Sequence, residues 1–191
     1  MGIDSILDSI KRDIGNLGVG DELPWVFPKC GNVKGFYGDD PVVFLCPNPS
    51  FGKMGDECED RHLKFFYGQL EVYGFANAHL TDLVKTRVRD FDIKKVLRDK
   101  TVLERNLPIL KRELDEIRPS LIVLVGESSW RDRWGPWFKR GWGSSIEDFL
   151  IDCCPLAEII GIVHYSQQAK VGERRDELIN KLKELDALVH S

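Results

Sequence analysis

No apolar run in this chain approaches the roughly 18 residues that a membrane-spanning helix requires. Secretory features are missing too: Asp4, Asp8, Lys11 and Arg12 interrupt the opening residues, where a signal peptide has a continuous apolar core. Ile6 stands where a myristoylation motif needs Ser or Thr. Together these absences point to a cytoplasmic chain that stays off the membrane. There is no C-x-x-C. The five cysteines (30, 46, 58, 153 and 154) are odd in number and irregular in spacing. That excludes a closed zinc site and makes reduced, partly buried thiols the expectation over a disulfide framework. No G-x-G-x-x-G and no Walker loop follows an apolar run, so the familiar nucleotide-binding layouts are set aside.

An excess of positive charge is also lacking. Basic residues number 27 against 31 acidic, for a net charge of −4, which by itself argues mildly against nucleic acid. The distribution carries more information than the sum. Residues 85–112 hold ten Lys or Arg and four acids, a local charge of +6. Such a stretch reads either as a solvated helix face or as an electrostatic footprint for phosphates.

What is present is an ordinary globular composition, 42% hydrophobic and 30% charged over 191 residues, the size of one domain. Ile3, Ile6, Leu7, Ile10, Ile14 and Leu17 recur at helical spacing. An irregular, Pro- and Gly-bearing stretch follows over 21–40. Four apolar runs then read as strands: Val42–Cys46, Ala78–Val84, Leu121–Val125 and Ile159–Val163. They are continuous rather than alternating, as in a parallel sheet covered on both faces. Helices fit between them. Thr101-x-x-Glu104 reads as a capping box, Leu103, Leu107, Leu110, Leu114 and Ile117 mark one face, and Pro108 falls in the first turns. Leu178, Leu182, Leu185 and Val189 mark a C-terminal helix. The expected architecture is a three-layer α/β/α sandwich with a central, mainly parallel four-stranded sheet.

In such sheets ligands bind beyond the carboxyl ends of the strands. There the sequence places Asn48 between two prolines, Asp82 followed by Val84-Lys85-Thr86-Arg87, the turn Gly126-Glu127-Ser128-Ser129, and His164-Tyr165-Ser166. An amide, a carboxylate, a glycine turn and a histidine converge on one rim. Trp130, Trp134, Trp137 and Trp142 lie among Arg131, Arg133, Lys139 and Arg140. A stacking platform for single-stranded nucleic acid has that composition. A helix face packed on the sheet has the same spacing and is the preferred reading.

These segments, PVVFLCPNPS, LTDLVKTRV, NLPILKRELDEIRPSLIVLVGESS and HYSQQ, resemble in order the motifs of the uracil-DNA glycosylase superfamily over about residues 41–170. The layout is nearest the iron–sulfur branch, and the first motif resembles the mismatch-specific and single-strand-selective branches. The resemblance implies a DNA glycosylase that hydrolyses the bond between sugar and a deaminated base. It would use water alone, with no metal or cofactor, and act as a monomer on DNA. Asn48 would hold the attacking water, and His164 would donate to the base oxygen that becomes negative as the base leaves. Phe66 or its neighbour Phe65 would stack on the flipped base, with Asp82 and Phe51 completing its pocket. Lys85, Arg87, Arg89, Ser166 and Lys170 would contact DNA.

Departures are equally specific. Thr86 and Asn106 stand where that branch has cluster cysteines, so no iron–sulfur cluster is expected. Pro47 replaces a glycine, and Tyr165 and Gln167 replace prolines. Asp82 stands where the family reads uracil with an Asn. An ionised carboxylate only accepts hydrogen bonds, whereas a protonated one can donate and accept as an amide does. Altered base preference, or a nucleic-acid- or nucleobase-binding protein of the same fold without catalysis, is therefore the alternative.

Overall fold

Val42-Val43-Phe44-Leu45 has no polar side chain to turn outward, so a strand built from it must be covered on both faces. The computed structural model, which describes residues 3–18, 22–48, 57–87, 93–126, 131, 135–165 and 171–189, shows this arrangement. The elements run α1 (Ile3–Gly15), β1 (Leu23–Pro24), β2 (Asp40–Cys46), α2 (Arg61–Val72), β3 (Ala78–Asp82), β4 (Thr86–Arg87), α3 (Ile93–Arg98), α4 (Lys100–Ile117), β5 (Leu121–Val125), α5 (Gly135–Trp142), α6 (Ile146–Cys153), β6 (Glu158–Ile162) and α7 (Val171–Val189). The main sheet has order β3-β2-β5-β6, and each neighbouring pair is parallel. A second, two-stranded sheet pairs β1 with β4 antiparallel.

Strand alternation sorts the core into two layers. Val43 and Leu45 of β2 and Ile122 and Leu124 of β5 pack with Leu7, Ile10 and Ile14 of α1, the leucine face of α4, and residues of α5 and α6. Val42 and Phe44, with Val123 and Val125, pack on the opposite face with α2 and α7. In α2 the buried residues Leu63, Phe66, Tyr67 and Leu70 follow the i, i+3, i+4, i+7 pattern of one face. Asp60 starts that helix by accepting from the His62 and Leu63 amides, both at 3.0 Å. The α/β/α architecture expected from the sequence is thus the architecture observed.

Several local expectations need correction. Asp99, not Thr101, caps α4, accepting from the amides of Thr101 (2.9 Å) and Val102 (3.3 Å). The helix therefore starts at Lys100 and carries Pro108 in its interior. Pro108 and Glu104 both lie on the exposed face of the helix, where the missing N–H costs least. Val189 does not join the buried face of α7 but is exposed. Cys30 and Cys58 are not reduced thiols; they form a disulfide with Cα atoms 5.6 Å apart, while Cys46, Cys153 and Cys154 are free. No helix among the described residues is long and apolar enough to cross a membrane.

The disulfide joins positions 28 residues apart and encloses β2, one of the two inner strands of the main sheet. Closing a loop of that length removes roughly 3–4 kcal/mol of entropy from the unfolded chain. Urea denaturation should show the oxidised protein more stable than the reduced one by about that amount. Coincident curves with and without reductant would mean the bond does not form.

Candidate functional site

The chain moves from β2 outward to β3 and then returns to the other side of β2 with β5, so the strand order reverses between β2 and β5. Ligands of such sheets settle beyond the carboxyl ends of the strands at that reversal. Backbone bonds draw the strand ends together there. Cys46 and Asp82 are register partners, and the ladder continues past them, with Leu83 N–H donating to the Cys46 carbonyl (2.8 Å) and Val84 N–H to that of Pro47 (3.2 Å). The turn carrying half-buried Asn48 is thereby held beside the turn after Asp82. Across the sheet, the Gly126 N–H donates to the Ile162 carbonyl (2.6 Å) from a backbone φ of 96°, a conformation that favours glycine. Partly buried His164 follows two residues later in the β6 segment.

Asp82 is 2% exposed, and neither of its carboxyl oxygens has a hydrogen-bond partner among the described residues. It shares the face of β3 that carries Ala78 and Leu80, toward α2. Burial pushes its pKa from the ordinary 3.8 up to about 7; Lys85 and Arg87 oppose that rise, and Glu113 adds to it. The Trp25 indole also favours the charged form, yet its Nε1 makes no hydrogen bond of normal geometry. Near neutral pH a large share of Asp82 is therefore a neutral carboxylic acid, able to donate and accept as an amide does.

Phe66 is fully buried, with Phe44 edge-on to it at 5.9 Å. Tyr165 lies parallel to Phe66, with centroids 4.5 Å apart and planes 9° apart, and His164 stacks on Tyr165 at 4.6 Å and 21°. Of the two phenylalanines, Phe66 is the one stacked on Tyr165, which follows β6. Phe65 is partly buried and lies under the Arg175 guanidinium, 4.7 Å from its centroid. Burial, with His62 adding to it, lowers the His164 pKa to about 4. The imidazole is thus neutral at pH 7, the form that donates one N–H and accepts at the other nitrogen. In this arrangement it presents a ring face to Tyr165, so an edge-on hydrogen bond to a base in Tyr165's place requires the imidazole to turn.

No family model matches this chain, and no curated protein does. The resemblance drawn above therefore rests on the residues themselves, and the structure revises several of them. Lys85 and Arg87, expected on phosphates, are 1% and 5% exposed. The Lys85 ammonium donates to Glu113 Oε2 (2.8 Å) and to Thr81 Oγ1, and Thr81 donates to the same Glu113 oxygen (2.6 Å). His79 Nε2 is 3.4 Å from that oxygen. Burial pushes the Glu113 carboxyl up, but Lys85 and His79 outweigh it and hold its pKa below the ordinary value. Arg87 lies over the Trp25 ring, 3.3 Å from its centroid. Other cations of the basic stretch face acids: Arg112 with Asp13, Lys111 with Asp115, Arg105 with Glu22 and Lys100 with Glu104. Asn106, at a cluster-cysteine position, instead accepts from the Lys85 amide at 2.8 Å. Trp137 and Trp142 pack against the core, as the helix-face reading expects. Phe51, Arg89, Ser166 and Lys170, with Trp130 and Trp134, lie outside the described residues.

Tyr165 and the Glu113 network were missed as site features. Ala78-His79-Leu80-Thr81-Asp82 alternates apolar and polar within a buried strand, and that alternation was the available signal that a polar layer lay beneath β3. A cleft of about 310 Å³ lined by Arg118, Cys153, Cys154 and Leu156 lies at the opposite, amino-terminal ends of β5 and β6, away from this rim.

Because folding raises the Asp82 pKa, the folded protein holds a proton between about pH 4 and 7 that the unfolded chain has released. The stability this confers is complete below pH 4 and is lost as pH rises through about 7. It amounts to roughly 4 kcal/mol at about 1.36 kcal/mol per unit. In denaturation curves from pH 4 to 8, the stability difference between the native protein and Asp82→Asn should show this decline. The difference is the measure because His164, whose pKa folding lowers to about 4, raises stability over the lower part of that range in both proteins. Parallel pH profiles would refute the assignment.

Proposed function

We propose that this chain is a DNA glycosylase that hydrolyses the N-glycosidic bond of uracil or another deaminated base in DNA, as a step in base excision repair. The observation that carries the reading is Asp82: a buried carboxyl at the end of β3 with no hydrogen-bond partner among the described residues, neutral in large part at physiological pH. A neutral acid can accept from N3–H of uracil and donate to O4, the pairing an asparagine makes in the family the sequence resembles. Asn48 positions and polarises water, since an amide has no useful pKa for general-base work. Water attacks C1′ of the sugar, the bond to the base breaks, the base departs with the electron pair, and the departing base takes up the proton that the water loses. Neutral His164, turned edge-on, donates a hydrogen bond to the oxygen on which that charge collects. The base reaches such a site only by leaving the stack.

A second reading, a nucleobase-binding protein without catalysis, is favoured by one observation: Tyr165 fills the face of Phe66 that a base would use, with the ring face of His164 behind it. The withdrawal of Lys85 and Arg87 into the core also leaves phosphate contacts to other residues. The cytoplasmic location expected from the sequence belongs to this proposal as well. The Cys30–Cys58 bond weighs against it, because cytosolic thiols are held reduced.

A gel assay decides between the two. Purified protein is incubated with labelled oligonucleotides containing uracil, hypoxanthine or xanthine, single- and double-stranded, and alkali reveals abasic sites. The expected result is strand cleavage that His164→Ala slows about 100- to 1,000-fold, the usual loss for one preorganised donor. Salt-sensitive binding without cleavage of any substrate would reject the enzyme and leave the binding protein.

A further inference from the structure

We infer that Tyr165 occupies the slot for a single-ring base, and that a pyrimidine binds this chain only by displacing it. The inference rests on the base-binding part of the reading above and deepens it by naming the ring size of the ligand and the group that competes with it. Phe66 has Phe44 edge-on to it, and Tyr165 lies flat against it at 4.5 Å and 9°. That near-parallel contact is the one a flipped base makes on an aromatic side chain. The His164 ring covers Tyr165 at 4.6 Å. Two rings at those distances do not fit side by side on one face of a phenol, so Phe66 and His164 lie on opposite faces and the slot is one ring thick.

The tyrosine fits this slot incompletely. Burial raises the Tyr165 pKa and the charges of Cys46, Asp82 and Tyr67 add to it, so the Asp82 carboxyl lies within electrostatic range of the phenol. Both Asp82 oxygens remain without a hydrogen-bond partner among the described residues while the phenol is in place. Uracil and cytosine each combine the same ring size with an adjacent donor and acceptor, which a neutral acid can pair in either order. A pyrimidine thus offers the stacking that Tyr165 supplies together with the polar edge that it lacks. A purine adds a second ring to a space filled by one.

An intramolecular occupant lowers the apparent affinity of a ligand by the fraction of molecules in which the slot is open. With a minor open state of about 1–10%, removing the ring raises that affinity about 10- to 100-fold. The test is calorimetric titration of free uracil, cytosine and hypoxanthine into the full chain, as native protein, Tyr165→Phe and Tyr165→Ala. Tyr165→Leu replaces the alanine variant if that one fails to melt cooperatively. Pyrimidines are expected to bind the alanine or leucine variant at least tenfold more tightly than the native chain, with Tyr165→Phe unchanged and hypoxanthine gaining less. A folded ring-free variant that binds pyrimidines no better than the native protein would overturn the inference, and an equal gain for hypoxanthine would overturn the single-ring limit. Excision is scored separately on uracil-containing oligonucleotides. Its absence alongside a gain in base binding rejects the catalytic reading and keeps the slot, whereas excision without that gain does the reverse.

Discussion

Lys85 and Glu113 are each sealed from solvent, and at either position a lone charge would have to be neutralised or expelled. Their pairing, reinforced by Thr81 and His79, is the constraint on which the rim of the sheet depends. It fixes the path of the chain just after β3, because α4 grips Lys85 twice: through Glu113 at the side chain and through Asn106 at the amide. With that turn held, Leu83 and Val84 can extend the ladder to Cys46 and Pro47, and the segment bearing Asn48 is set beside it. The basic residue that looked like a handle for DNA is therefore a structural peg.

The same short strand carries two carboxyl environments on its two sides. Thr81 points to the α4 face, where Glu113 meets a cation and hydrogen-bond donors and stays ionised. Asp82 points to the α2 face, where burial dominates over more distant cations and the proton is retained up to about pH 7. Environments that drive two acids in opposite directions separate a structural charge from one available for recognition. Phe66 reaches the same face from α2 through the i, i+3, i+4, i+7 pattern that Asp60 initiates. Residues of β3 and α2 thus share one face of the sheet, while α4 holds the other.

The four main strands and the leucine face of α4 were legible because continuous apolar runs and a strict helical period have few other solutions. The strand-end positions of Asn48, Asp82 and His164 followed from those runs. The disulfide was not legible: Cys30 and Cys58 are brought together only by the packing of α2 and the stretch before β2, which no spacing encodes. Phe65 and Phe66 are adjacent and chemically identical, so only the rotation of α2 distinguishes them. Lys85 and Arg87 read as surface cations because charge in a sequence says nothing about a buried partner 28 residues on or an indole from another sheet strand's edge. Tyr165 looked like a mere departure from a proline, since its role lies in what it stacks against.

The stacked Tyr165 has a consequence for the form in which a ligand must arrive. A side chain anchored one residue from His164 competes at a fixed local concentration that dilution of the protein does not change. A free base in solution meets that competitor with its bulk concentration alone. A base on a polymer already held elsewhere on the protein meets it with a local concentration of its own. Under the proposed function, such a slot is insulated from the dilute free bases around it and answers mainly to one delivered on a tether.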